Sequence, residues 1–261
     1  MTKAIFITGG GSGIGRATAR YFAAKGWFVG LADVNAAGMA ETAALLPPGA
    51  SSAHVLDVRD RNQWEAVLAD FTARTGGRID LLFNNAGIGA GGPLSETPAA
   101  EIDRIIDINL KGVFNGAQAG FPYLKATPGS TLVNTSSAAG LYAGPGMSPY
   151  AATKFGVRAL TESLDQEWAE FGIRVRAIMP GFIDTPLLDV NPTGSNHSIR
   201  ETVRARGLEF TPVEQVAEAV WNAFHGGPLF MPVGKTARRI AFFSRWAPGF
   251  LRRQGRTKVV R

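Results

Sequence analysis

An apolar run, Ala4-Ile5-Phe6-Ile7, ends at Thr8 and passes directly into Gly9-Gly10-Gly11-Ser12-Gly13-Ile14-Gly15, after which an amphipathic pattern begins. A strand that turns this tightly into a helix needs glycine, which alone tolerates left-handed backbone angles and close backbone approach. The first N–H groups of such a helix point outward unpaired, and with the helix dipole they favour an anion such as a pyrophosphate. The common spacing G-x-G-x-x-G fits in no register; T-G-x-x-x-G-x-G fits, through Thr8, Gly9, Gly13 and Gly15. This junction sets the start of an α/β fold.

The rest of the chain continues that alternation. Short apolar runs predict strands at 3–8, 28–33, 52–57, 81–84, 130–136, 174–179 and 229–231. Between them, helical patterns run over about 14–25, 36–46, 60–75, 98–125, 150–171 and 212–224, the last opened by Thr211-Pro212 as N-cap and first turn. The strands lack polar alternation, as expected when both faces of a parallel sheet are covered. Right-handed βαβ units then give a doubly wound, mostly parallel, three-layered sheet of the Rossmann type. With 261 residues, 45% hydrophobic and 18% charged, one domain with one substantial core is expected. Residues 1–234 form its dinucleotide-binding catalytic unit. A polar, Pro- and Gly-containing stretch at about 187–208 reads as a lid, and 235–261 as a C-terminal extension.

Several functions are excluded. The chain has no cysteine, so no disulfide, thiolate metal site or cysteine nucleophile, and His54, His197 and His225 lack ligand spacing, so no metal is expected. No run approaches the ~18–20 apolar residues of a membrane span. The N-terminus enters the first strand after three residues with no room for a signal peptide, so a cytoplasmic protein is expected.

Asp33 ends the second strand, 20 residues after Gly13. A carboxylate there accepts hydrogen bonds from ribose hydroxyls and repels a 2′-phosphate, so NAD is expected over NADP. The competing reading of Asp33 is a helix cap or loop acid. Arg16, the nearest base, sits inside the helix. Tyr150 and Lys154, four residues apart, share a helix face, where a cation favours the phenolate and suits the phenol to proton transfer. Thirteen residues before the tyrosine, Asn134-Thr135-Ser136-Ser137 closes a strand at the sheet edge where ligands bind.

Together these residues resemble the short-chain dehydrogenase/reductase family over residues 3 to about 232. TGGGSGIG at 8–15, Asp33, Asp57-Val58, Asn84-Asn85-Ala86-Gly87, Asn109, the Ser-Ser pair, Tyr150 with Lys154, and Pro180-Gly181 ahead of Thr185 arrive in the family's order. The resemblance implies that Tyr150 exchanges a proton with a carbonyl or alcohol and Ser137 hydrogen-bonds the substrate oxygen. Lys154 would hold the nicotinamide ribose and lower the tyrosine pKa, and Asn109 would support a proton relay. NAD(H) would rest on Gly9, Ser12, Gly13, Ile14 and Gly15, with Asp57 and Val58 at the adenine. Asn85, Ala86 and Gly87 would line its cleft, and Pro180, Gly181, Ile183 and Thr185 would place its carboxamide. Asn84, Asn85 and Asn109 also read as structural ties. A homodimer or homotetramer through the Phe114–Phe121 and Phe155–Trp168 faces is implied in the same way.

By position, Ile88, Ala138, Tyr142, Met147, Phe182, Leu187 and Leu188 should face the substrate. They are mostly apolar, which favours a hydrophobic ketone or secondary alcohol, although Asn196, His197 and Arg200 of the lid could fold inward. The competing functions are a 3-oxoacyl-thioester reductase of the same fold and a non-catalytic NAD-binding scaffold. The net charge of +6 is unevenly placed: 235–261 holds nine of the 27 basic residues and none of the 21 acidic ones, so the remainder carries −3. Nucleic acid is therefore not an expected partner. The favoured reading of the extension packs its aromatics over the active site or a second subunit; contact with an anionic membrane is the lesser alternative.

Overall fold

The computed structural model describes residues 2–256. The end of the extension, including Lys258 and Arg261, lies outside the described residues. Seven strands form one parallel sheet: β1 (Ala4–Thr8), β2 (Phe28–Asp33), β3 (Ser51–Val55), β4 (Leu81–Asn84), β5 (Thr131–Thr135), β6 (Arg174–Pro180) and β7 (Phe230–Val233). Their order is β3-β2-β1-β4-β5-β6-β7, so the winding reverses between β1 and β4. At such a switch point the connections leave in opposite directions and a crevice opens at the carboxyl ends of the strands.

Helices cover both faces: α1 (Gly13–Ala24), α2 (Ala36–Ala44), α3 (Arg61–Arg74), α4 (Ala99–Ile106), α5 (Gly112–Ala126), α6 (Ser148–Glu167) and, after the short α7 (Ile199–Ala205) that packs on the chain following β6, α8 (Val213–Phe224). Two further helices, α9 (Lys235–Trp246) and α10 (Pro248–Arg256), make up the described extension. Successive side chains of β1 go to opposite cores. Ile5 and Ile7 pack with Phe22 of α1 and Val220 and Phe224 of α8, whereas Phe6 packs with Trp64, Leu68 and Phe71 of α3. All of these except Phe224 are essentially without solvent contact.

The structure departs from expectation at four places. The edge strands β3 and β7 are only partly covered, because each has a neighbour on one side alone. The expected helix over 98–125 is broken by a π-helical turn at Asp107–Lys111, which carries Asn109. Thr211 does not cap α8; it is buried in a bridge to Ile183, its N–H donating to Phe182 O at 2.8 Å. Finally, α7 lies inside the predicted lid. Its start is a capping box, Ser198 accepting from Glu201 N while Glu201 accepts from Ser198 N.

Candidate active site

A cleft of about 470 Å³ opens over the switch point. Its floor is the glycine-rich turn. Gly9 adopts φ +70°, which a side chain would strain, and a Cβ on Gly15 would stand 2.0 Å from Gly9 O. Ser12 is the N-cap of α1 yet makes no side-chain cap bond, and the first turn holds no acid. The turn therefore offers open N–H groups and space that only glycine leaves, which fits a pyrophosphate.

The loop after β4 is locked to this floor. Thr8 Oγ1 accepts from Asn85 N (2.9 Å) and Ala86 N (3.0 Å) and donates to Phe83 O (3.4 Å). Asn85 Nδ2 donates to Thr8 O at 2.9 Å, and its Oδ1 accepts from Thr135 across β5. Asn84 bonds the Asn134 side chain, which in turn donates to Thr161 of α6. Asn109, wholly buried in the π turn, clamps Ile88 from both sides: Oδ1 accepts its N–H (2.8 Å) and Nδ2 donates to its carbonyl (2.9 Å). Here Asn109 positions the loop; its side chain does not line the cleft.

Asp33 lines the cleft at the end of β2, its carboxylate accepting from Gly11 N and Asn35 N, both at 3.0 Å. The cap of α2 is Asn35, which accepts from Gly38 N, so Asp33 is not the helix cap. Arg16 is not among the residues that line the cleft, and its donors are taken. Its guanidinium donates to Gly11 O and Glu41, both at 2.7 Å, and to Thr42 at 3.0 Å. Asp57 is forked by Arg59, whose hydrogen bonds hold its carboxyl below the ordinary range. Val58 packs under Gly112, and its carbonyl accepts from Trp64 Nε1 and Asn115.

Ser137, Tyr150 and Lys154 enter the same cleft from β5 and α6. Ser137 leaves the strand and caps the following turn, accepting from Ala139 N at 3.1 Å. Lys154 is buried, its Nζ donating to Thr135 O at 3.0 Å and lying 5.5 Å from the Tyr150 ring centre. Ser136 holds the Lys154 carbonyl at 2.8 Å, and its own side chain is buried, so it serves structure. Burial pushes the Tyr150 phenol above its ordinary pKa, and a hydrogen bond with Ser137 pulls the other way. Burial also pushes the Lys154 ammonium down to about 8. The phenol is therefore held above its ordinary pKa, not below it as the sequence suggested: burial outweighs the opposing pull, which comes from Ser137.

On the far side, Pro180, Gly181, Ile183 and Thr185 line the cleft, Thr185 lying where a Cβ on Gly13 would touch it. Of the residues expected to face substrate, Ile88, Leu187 and Leu188 line this cleft. Ala138, Tyr142, Met147 and Phe182 do not line it. Tyr142 faces a second hollow beside α10 and donates to Leu251 O at 2.9 Å, because the extension folds back over it. Arg200 does not reach inward: it donates to Asp189 (2.6 Å), Asp184 and Thr185 O (2.9 Å), clasping the lid to the chain after β6. His197 is exposed.

Sequence reasoning missed Arg104, Ile108 and Val190 in the lining. Arg104, on α4, and Ile108, on the π turn, stand one turn apart and reach the cleft through the tertiary approach of this segment, which no periodicity shows. Ile108 adjoins Asn109, which was the available signal. Among the described residues, no cluster of three or more His, Cys, Asp or Glu could hold a metal.

The family model for short chain dehydrogenases matches residues 3–195. A 3-oxoacyl-[acyl-carrier-protein] reductase of Thermotoga maritima is 39% identical over 84% of this chain and 88% of its own. Levodione reductase of Leifsonia aquatica is 42% identical over 72% of each. Among solved structures, a short chain dehydrogenase/reductase from Burkholderia phymatum in complex with NAD superposes with a TM-score of 0.84 at 30% identity, covering 97% of this chain and 95% of that one.

Proposed function

The chain belongs to the short-chain dehydrogenase family, and from that premise we propose that it uses NAD(H) on a predominantly apolar ketone or secondary alcohol. It is an oxidoreductase acting at C=O or CH–OH groups. The dinucleotide, when bound, supplies or accepts the hydride. Tyr150 supplies the proton to the carbonyl oxygen in reduction and takes it from the hydroxyl in oxidation. Ser137 has one hydroxyl proton, which it turns from the phenol to the substrate oxygen once substrate is bound, so that negative charge developing on that oxygen is shared. Lys154, buried beside the ring and tied to Thr135 O, places a cation against the same phenol and donates to a ribose hydroxyl. Gly9, Ser12, Gly13, Ile14 and Gly15 hold the pyrophosphate; Asp33 takes the adenosine ribose; Asp57, Val58, Asn85, Ala86 and Gly87 flank the adenosine half. Pro180, Gly181, Ile183 and Thr185 orient the carboxamide, and Asn109 keeps Ile88 in place behind it.

The observation that carries this reading is convergence. The glycine turn, Asp33, Ser137, Tyr150 and Lys154, drawn from four separate segments, line one cleft. NAD is favoured because Asp33 faces the cleft while Arg16, the base that could offset a 2′-phosphate, is spent on Glu41 and Gly11 O. The apolar preference rests on Ile88, Leu187, Leu188 and Val190 at the same opening. A second reading, reduction of 3-oxoacyl thioesters, is favoured by Arg104, a cleft residue with no ion pair among the described residues that could meet a thioester carrier's phosphate. A homo-oligomer is proposed through the faces of α5 and α6, where Phe114 and Phe155 are exposed while Phe121 and Trp168 pack inward.

Initial rates with NADH and NADPH against apolar ketones, charged ketones and 3-oxoacyl thioesters test the proposal. It expects NADH to be preferred by about 100-fold or more in kcat/KM and apolar ketones to lead. Turnover confined to thioesters replaces it with the second reading; preference for NADPH removes the role given to Asp33.

A further inference from the structure

The three most exposed Phe and Trp side chains among the described residues, Phe242, Trp246 and Phe250, all lie in the extension, at 58, 68 and 45% exposure. Their setting is not that of an unfinished core. A helix turns about 100° per residue, so Trp246 stands roughly 180° around α9 from Ala237, which is buried against the body. Between these poles, Arg238 and Arg245 flank one side of Phe242 and Trp246, and Arg239 flanks the other. The outward face of α9 is therefore a strip of aromatics bordered by cations. Arg245 lies 5.3 Å from the Trp246 ring centre, which keeps charge and ring side by side. The next helix extends the strip. Phe250 of α10 meets Phe243 at 5.1 Å, and Arg252 and Arg253 are exposed beside it.

Little of this charge is paired among the described residues. Lys235 stands 3.8 Å from Glu209, but Arg238, Arg239, Arg245, Arg252 and Arg253 make no ion pair among the described residues. Nine cations and no acid over 235–261 contrast with a body of −3. We propose that the outward face of α9 and α10 docks on an anionic lipid bilayer. Phe242, Trp246 and Phe250 enter the boundary between headgroups and acyl chains, and the arginines meet lipid phosphates. A second copy is the poorer occupant, since two such faces repel and the body offers only a slight acidic excess spread over a much larger surface. Nucleic acid would satisfy the arginines but leave the aromatic strip between them in water.

Docking there has a consequence for the cleft. Tyr142 Oη donates to Leu251 O, tying α10 to the segment that leads from Ser137 to Tyr150. A membrane-bound extension would hold that segment at the bilayer, beside the apolar compounds dissolved in it. The docking itself is independent of the substrate reading.

The test uses the full chain with vesicles of phosphatidylcholine alone and vesicles that also carry phosphatidylglycerol, at low salt. The expected result is binding at least ~10-fold tighter to the anionic vesicles, falling as salt is raised. Brominated anionic lipid should quench part of the protein's fluorescence, from Trp246, because Trp27, Trp64 and Trp168 are buried and Trp221 is half-buried on α8 against the body; Trp246→Phe should remove the quenching. The quenching itself is read without any substitution. Phe242→Ser with Trp246→Ser, and separately Arg238→Glu with Arg245→Glu, should each lower vesicle binding about 10-fold or more at unchanged turnover and unchanged molecular mass in solution. Equal binding to both vesicle types, absence of quenching, or full binding by either variant overturns the proposal. Dissociation of an oligomer in the aromatic variant assigns the face to a second copy, and tighter binding to duplex DNA than to anionic vesicles assigns it to nucleic acid; either also overturns it.

Discussion

Thr8 ties three backbone groups around the loop after β4, whereas the lid across the cleft is held by Arg200 and a few loop bonds. The cofactor wall consists of strand ends and of buried side chains that bond one another: Asn84 to Asn134, Asn134 to Thr161, Asn109 to Ile88. Breaking such a bond leaves a buried polar group unpaired, at about 1–3 kcal/mol each. The substrate wall is different. Asp184 and Asp189 are largely exposed, so their pairs with Arg200 are screened and contribute about 0–1 kcal/mol to stability. Arg200 fixes where the lid sits more than it fixes whether the protein folds. One wall is rigid and chemically specific; the other is loosely stitched and mostly apolar, which is where specificity can vary without disturbing the chemistry.

Substitutions on the two walls should therefore fail differently. The largest effect is expected at Gly15→Ala, whose Cβ cannot coexist with Gly9 O at 2.0 Å. Calorimetric NADH affinity should fall by about 1000-fold, and retention within tenfold would show that the turn is not the rigid element described. Next comes Asp33→Ala, which should cut the NADH over NADPH preference by roughly 100-fold, mainly through improved use of NADPH. An unchanged ratio would move cofactor selection elsewhere.

Lys154 gives a pH-dependent comparison. Its pKa is lowered to about 8 in the fold, so between about 8 and the unfolded value near 10.5 the unfolded chain holds a proton that the native one has released. Stability from this residue should rise with pH across that window, by about 1 kcal/mol per unit, and show no such slope below it. Denaturant titrations of cofactor-free wild type and Lys154→Met should diverge in slope only above pH ~8. Parallel curves would mean that the ammonium is not held against burial. The smallest effect is expected at Arg200→Met: a rise in substrate KM of about 3- to 10-fold with a midpoint of unfolding little changed. Equal losses of NADH affinity and stability would place Arg200 on the rigid wall instead.

The same contrast explains what could be read from the sequence. The sheet and glycine turn were legible because local needs dictate them: both faces of β1 are buried, so Ile5-Phe6-Ile7 is continuous, and only glycine fits at 15. Tyr150, Lys154 and Ser137 were legible through spacing on one helix and one strand end. Ala138, Tyr142, Met147 and Phe182 were placed by position along the chain, and that fails where loops fold over one another. The Tyr142 bond to Leu251 spans 109 residues and leaves no local trace. Arg104 reaches the cleft from α4, an approach that is likewise tertiary and leaves no local trace. In contrast, α7 carried a readable capping box, Ser198 with Glu201, inside a stretch too polar to look helical.

The central claim is that Tyr150 carries the proton in a cleft that binds the dinucleotide without its help. Tyr150→Phe tests it most directly, measured as NADH binding by calorimetry alongside ketone turnover by loss of the reduced nicotinamide's absorbance. NADH affinity should stay within about twofold of wild type while kcat falls by about 1000-fold. Turnover within tenfold of wild type, at equal NADH affinity, would contradict it.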